Sequence, residues 1–316
     1  MDECMLRTVW VIVLILLGAF MAPVLDGLRR KIRAKVQRRI GPPLLQTIYD
    51  LSKLFSLQPV LPFKNMFMIV TPYIVFVSML VLSAAVPIPY VPGFSAVFDA
   101  ITLLYALLFV SVLVVLLGLA LPNPYSNAGS AREALTVTVF EVFIAFTIVG
   151  IAYKMKTLNL YGLAVLYGFP GNYLRISTLF LSASLFILAY IESAYTPFDM
   201  GEAETEVLGG PYLEFSGRYY GLFLYALLLK RYILLSLPVS LVLVSPVAAV
   251  LRSLVSGPLL SVLVLGVFTL FLLITMSVYS VIEALYPRYR VDLAFKPLIL
   301  ASVIPLIGLV MGWLGW

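Results

Sequence analysis

The sequence predicts an all-α integral membrane protein, with about eight transmembrane helices and one amphipathic helix in the first cytoplasmic loop, forming a single membrane domain over residues 1-316. Two observations predict this fold. Of the 316 residues 62% are hydrophobic and 11% charged, with a mean hydropathy of +1.08, whereas a soluble domain carries about 25% charge. Apolar runs of about twenty residues, enough to cross a hydrocarbon core of roughly 30 Å as helix, also recur along the chain.

The runs fall near 6-25, 66-90, 98-121, 134-153, 176-195, 232-251, 258-282 and 297-316. The first lacks a basic n-region and a small-residue cleavage site, so it reads as a retained anchor. The sixth has an open beginning: Tyr219 to Leu229 is also apolar, and only Lys230 and Arg231 interrupt it. Either one bent or over-long helix or a short re-entrant piece would accommodate that pattern. With eight spans, the first, third, fifth and seventh loops share a side and hold fourteen basic residues, sixteen with Lys230 and Arg231, against five on the other side. The positive-inside rule makes the odd loops cytoplasmic and turns both termini outward, in a multi-pass protein of the cell (plasma) membrane. The net charge of +6 is therefore topological, and nucleic acid is not an expected partner.

Histidine is absent and cysteine occurs once, as Cys4. Iron–sulfur clusters need several thiolates, and haem, zinc and copper sites draw on imidazole or thiolate ligands. The chain is expected to hold no cofactor, no metal and no catalytic centre of its own, and one cysteine forms no intrachain disulfide. Neither an internal repeat of the transporter kind nor a low-complexity tract is visible.

The first cytoplasmic loop, 28-65, opens with seven basic residues in the eleven from Arg29 to Arg39. Anionic lipid headgroups would account for such a cluster. Gly41-Pro42-Pro43 then breaks the chain. Leu44, Leu45, Ile48, Leu51 and Phe55 share one helical face, and Gln46, Tyr49, Asp50 and Lys53 the other. An amphipathic helix of about 12 residues is marginal alone in water, so it must lie on the membrane or under a partner subunit.

Several carboxylates stand where a bilayer penalises them. Glu141 lies well inside the fourth run, where an ionised group costs a few kcal/mol and must be neutral, paired or hydrated; this marks it for proton or ion handling. Glu133 precedes it by eight residues, about two turns and about 80° round the helix, so both could border one polar path. Asp99, Glu192 and Glu283 sit near span ends, where an interfacial role competes with a functional one. The acidic loop, 196-218, holds Asp199, Glu202, Glu204, Glu206 and Glu214 on the side that normally collects positive charge. A solvated loop is the simple explanation, but the segment is short and mixed with apolar residues, and Glu202 and Glu206 would share a helical face. Carboxylates packed this closely repel, which raises some of their pKa values and makes protonation sensitive to neighbouring charge.

At these two loops a family resemblance emerges. R-R-I-G-P-P-L-L-Q-T-I-Y-D-L-S-K-L-F, from Arg38 to Phe55, resembles the signature after the first helix of the complex I subunit 1 (NuoH-type) family. E-S-A-Y-T-P-F-D-M-G-E-A-E-T-E, from Glu192 to Glu206, with the following E-F-S-G, resembles that family's second signature. The compact G-P-P-L-L-Q form looks closest to the membrane subunit of archaeal group 4 membrane-bound hydrogenase and sulfane sulfur reductase complexes. Respiratory complex I usually carries a longer G-P-N-x-x-G-P spacing there.

The resemblance implies a membrane anchor and coupling subunit of a ferredoxin-dependent oxidoreductase complex, an energy-converting hydrogenase or sulfur reductase. Such a subunit joins a cytoplasmic redox arm to proton or sodium translocation. Carried across by motif, Glu141 matches the intramembrane glutamate of the fourth helix. Glu192, Asp199, Glu202, Glu204, Glu206 and Glu214 match an acidic funnel into the membrane, with Glu133 beside it. Arg38 and Arg39 match the basic pair that docks peripheral subunits, with Asp50 and Lys53 on the adjoining helix. Iron–sulfur clusters, and nickel-iron in the hydrogenase branch, would belong to partner subunits. The expected partners are the redox subunits, membrane ion-translocating subunits and lipid. Two alternatives remain: a quinone-binding subunit of a respiratory complex I, and a stand-alone ion-coupled transporter.

Overall fold

The computed structural model describes residues 3–60, 65–91, 93–201, 204–289 and 291–314. Its main helices are α1 (Glu3–Val36), α2 (Gln46–Ser56), α3 (Met66–Ser83), α4 (Ala100–Leu119), α5 (Pro124–Met155), α6 (Leu160–Tyr167), α7 (Ile176–Glu192), α8 (Gly217–Leu254), α9 (Pro258–Leu285) and α10 (Val291–Trp313). Each of the eight apolar runs lies on a helix. Six of these helices are long and apolar enough to cross a membrane, while α7 and the apolar part of α10 are shorter.

Local chemistry sets several boundaries. Asn65 and Asn123 cap α3 and α5 by accepting the backbone N–H two residues on, at 3.2 and 2.9 Å. Pro124 follows at the first helical position, where its missing N–H costs nothing. That cap starts α5 ten residues ahead of the apolar run and brings Arg132 and Glu133 into the helix. Asn159 caps α6 through Gly162 N–H at 3.0 Å, and its amide donates to the Ala96 carbonyl at 2.9 Å, tying the α5–α6 connection to the start of α4.

The sixth run is one continuous helix of 38 residues, about 57 Å long at 1.5 Å per residue, and contains no re-entrant break. Residues Val239–Val244 widen into a π-helical turn between Pro238 and Pro246. Neither proline can donate to the helical ladder, and a π turn is a common way for a helix to absorb that mismatch. α8 packs against α1, α2, α3, α7 and α9. Its most apolar window is 67% buried, against 33–44% for the other five long helices, so α8 is the central post of the bundle.

The first loop and the acidic loop pack back onto this post. α2 is one residue shorter than the sequence suggests, and Leu44 and Leu45 precede it, exposed. Thr47 and Leu51 are its buried positions, with Phe55 packed beside the core. The turn before α2 reaches α1 at Gly27, where any Cβ would collide with the Leu44 carbonyl. The acidic loop meets α5 in the same way: a Cβ on Gly129 would lie 2.5 Å from the Gly210 Cα.

Candidate functional site

The C-terminal part of α1 and the end of α9 build a buried ionic network. Asp26, 4% exposed, accepts from Arg29 Nη2 at 2.7 Å and pairs with Arg30 Nε at 3.0 Å, and the Thr47 hydroxyl of α2 donates to it at 2.9 Å. Glu283 Oε1 accepts from Arg29 at 2.8 Å and from Arg33 at 3.0 Å. Three of the seven basic residues that could have faced lipid or a partner are thus committed inside the chain. The reason is dielectric: carboxylates this deep must be paired with hydrogen-bonding cations.

These arginines line a chamber of about 680 Å³. Arg231 of α8 closes one side of it, and the pair Arg288–Asp199, at 2.6 Å, closes another. Tyr195 lies between cations, with Arg29 at 5.4 Å and Arg231 at 5.2 Å from its ring centroid, distances at which the ring face attracts positive charge. Two buried oxygens at the chamber, Glu283 Oε2 and Asp199 Oδ1, have no hydrogen-bond partner among the described residues.

Next to Arg231 on the same helix, Lys230 faces the other way. Its Nζ lies 2.7 Å from Glu192 Oε1 at the end of α7 and 3.0 Å from Ser111 Oγ of α4. Glu133 lines a small cavity, about 30 Å³, together with Lys230 and Ser111. Glu141 also lies within electrostatic range of Lys230 and Glu192. One of its carboxylate oxygens, Oε2, is buried with no hydrogen-bond partner among the described residues. The fold therefore places Glu192 in contact with one buried ammonium, Glu133 at the lining of its cavity and Glu141 within its electrostatic range.

The rest of the acidic loop is more dispersed. Glu206 pairs with Arg132 of α5, Glu214 accepts from the Asn123 side chain, and Asp199 pairs with Arg288. Glu202 lies outside the described residues, as does the side chain of Glu204, whose backbone belongs to the short turn Glu204–Val207. On the first loop Arg38, Arg39 and Lys53 are exposed. Asp50 instead bonds within the chain, to Arg30 at 3.0 Å and to Gln46 at 2.9 Å.

Sequence reasoning passes over Asp26 and Tyr195, and it reads Lys230 and Arg231 only as a topological ambiguity. The available signal for that pair is charge inside an apolar run, the same signal that marks Glu141. Among the described residues no group of His, Cys, Asp and Glu could hold a metal ion. What the arrangement can do is hold, exchange and electrostatically sense protons.

The family model described as NADH dehydrogenase matches residues 8–313. The chain belongs to the NADH dehydrogenase family. Formate hydrogenlyase subunit 4 of Escherichia coli (strain K12) is 29% identical across 86% of this chain and 88% of its own length. Hydrogenase-4 component C of the same strain is 31% identical, with 70% of each chain covered. A subunit of the NADH-quinone oxidoreductase of Chelativorans sp. (strain BNC1) is 29% identical over 91% of this chain and 87% of its own. Each is by its name one part of a larger assembly. A chain of the membrane-bound sulfane sulfur reductase, an archaeal respiratory membrane complex, has the same fold, with a TM-score of 0.80 at 20% identity, covering 97% of this chain and 99% of that one. Membership of the NADH dehydrogenase family thus extends over the α1–α2 region, the acidic loop and the Lys230 cluster.

Proposed function

We propose that this member of the family is the membrane anchor and coupling subunit of a ferredoxin-dependent, multi-subunit oxidoreductase, an energy-converting hydrogenase or sulfur reductase. In this reading peripheral redox subunits dock on the exposed Arg38, Arg39 and Lys53. Redox turnover changes charge or protonation at the chamber. The acidic loop and the buried carboxylates pass that change to neighbouring membrane subunits as proton or sodium movement. Partner subunits supply the iron–sulfur clusters and, in the hydrogenase branch, nickel-iron.

The observation that carries the reading is the continuity of buried charge. Charged side chains run from the chamber through Arg231 and Lys230 to Glu192 and Glu141, in a chain with no histidine and one cysteine. Burying so many ionisable groups is expensive, and in a membrane it is characteristic of proton and ion pathways. The test is to purify the complex through a tag on this chain, reconstitute it in liposomes and drive it with reduced ferredoxin. Glu141→Gln should retain assembly and ferredoxin oxidation while losing most ion uptake. Undiminished uptake, or an assembly that ferredoxin does not reduce, would overturn the reading.

A second reading is a quinone-binding subunit of a respiratory complex I. It is favoured by the size of the chamber, about 680 Å³, within the ordinary range for small-molecule pockets, and by the similarity to an NADH-quinone oxidoreductase chain. Labelling of this chain by a photoreactive quinone, blocked by excess quinone, would select it.

A further inference from the structure

We propose that Lys230 is a positioning residue that exchanges partners between Glu192 and the carboxylates of α5, and so transmits charge from the chamber to Glu141. The inference rests on the coupling function proposed above and names the side chain that performs it.

The geometry points to Lys230 because two adjacent residues of α8 grip two adjacent residues at the end of α7. Lys230 Nζ holds Glu192 Oε1 at 2.7 Å, and Arg231 Nε donates to the Ser193 carbonyl at 2.9 Å. The two grips face different compartments. Arg231 lines the chamber and stacks on Tyr195, whereas Lys230 opens onto the small cavity that holds Glu133 and Ser111. A shift of charge in the chamber that moves Arg231 must therefore act on the segment carrying Glu192. Lys230 is the cation that the buried carboxylates share: Glu192 is paired with it, and Glu133 and Glu141 lie within its electrostatic range. Ser111 Oγ gives the ammonium a neutral second partner at 3.0 Å. The cavity, about 30 Å³, also has room for water, which needs about 10–15 Å³ and several polar partners.

The exchange balances as a transfer of one proton. A proton arriving at Glu192 from the chamber side cancels the charge that holds Lys230. The ammonium, charged throughout, then turns toward α5 and stabilises an ionised Glu141, which releases its proton onward. Glu192 then passes its proton across the cavity to the ionised Glu141, and the original pair reforms, so that one proton enters and one leaves in each cycle. A buried carboxylate left without its cation is strongly unfavourable, so the ammonium cannot be removed from both sites at once.

The test uses the tagged, reconstituted complex and compares ions moved per electron from reduced ferredoxin. Lys230→Gln should lower that ratio about fivefold or more, the low end of ordinary coupling between sites. Lys230→Arg, which keeps the charge, should restore most of it. The double variant Lys230→Gln/Glu192→Gln removes the pair without leaving Glu192 charged and unpaired, so it tests the idea even where the single variant fails to assemble; it should also be uncoupled. A normal ratio in the double variant, or no rescue by arginine, overturns the proposal. Glu141→Gln separates the two levels. If it uncouples while the lysine variants do not, only the role of Lys230 fails; if it has no effect, the coupling function itself fails.

Discussion

Arg29 of α1 and Glu283 of α9 are 254 residues apart in sequence and meet at 2.8 Å. Arg33 binds the same carboxylate oxygen at 3.0 Å, and Arg29 also holds Asp26. One carboxylate therefore fastens the end of α9 to the end of α1, at the wall of the chamber.

Removing that carboxylate should cost far more than a surface ion pair. Glu283 is 3% exposed, and deleting one member of a buried pair typically costs about 3–5 kcal/mol, because the remaining charge keeps its desolvation penalty. Glu283→Ala should lower the unfolding midpoint of the purified protein accordingly. Glu283→Gln keeps an acceptor for Arg29 and should fall between the alanine variant and the parent. A Glu283→Ala protein as stable as the parent would show that the arginines satisfy themselves elsewhere.

The acidic loop depends on backbone contact with α5. Gly129 faces Gly210, which has a positive φ of 59°, so this junction tolerates side chains on neither partner. Gly129→Ala introduces a Cβ 2.5 Å from the Gly210 Cα. Overpacking of this kind costs about 1–3 kcal/mol, and the loop can relieve it by lifting away from α5. Limited proteolysis should then cut between residues 199 and 214 several times faster than in the parent. Unchanged cleavage would mean that α5 and the loop shift together.

How far the sequence speaks depends on the range of the interaction. The eight apolar runs and the Leu51–Phe55 face of α2 are local patterns and appear in the helices where expected. Glu141 is conspicuous because a carboxylate inside an apolar run is a local anomaly. Asp26 and Glu283 carry the same anomaly at span ends, but their pairing with arginines of the basic cluster is a long-range event that no spacing rule reveals. The basic residues Arg29, Arg30 and Arg33 illustrate the difficulty: a headgroup-binding cluster and a set of donors to buried carboxylates have the same one-dimensional pattern. Lys230 and Arg231 are ambiguous for another reason. Two charges in an apolar stretch mark either a helix boundary or a functional centre, and only the course of α8 past both distinguishes them.

The orientation of the bundle gives the final prediction. The network of Asp26, Arg29 and Glu283, the helix α2 and the Asp199–Arg288 pair all lie at one end, because direct bonds connect α1 to α2 and α9, and the chamber joins them to the acidic loop. At the other end α6 is bonded to the start of α4, and Arg252 lies 5.2 Å from the Tyr90 ring. Those basic residues of the odd loops that the structure describes belong to the first end, so the positive-inside rule predicts that this end faces the cytoplasm. Single cysteines in a Cys4→Ser background test this directly. Gly171→Cys should be tolerated, since a Cβ there meets nothing within 4 Å, and it should react with a membrane-impermeant maleimide on whole cells. Lys53→Cys should react only in inside-out vesicles stripped of their peripheral subunits. The reverse pattern would invert the protein and place Arg38, Arg39 and Lys53 on the wrong side for the proposed docking of cytoplasmic redox subunits.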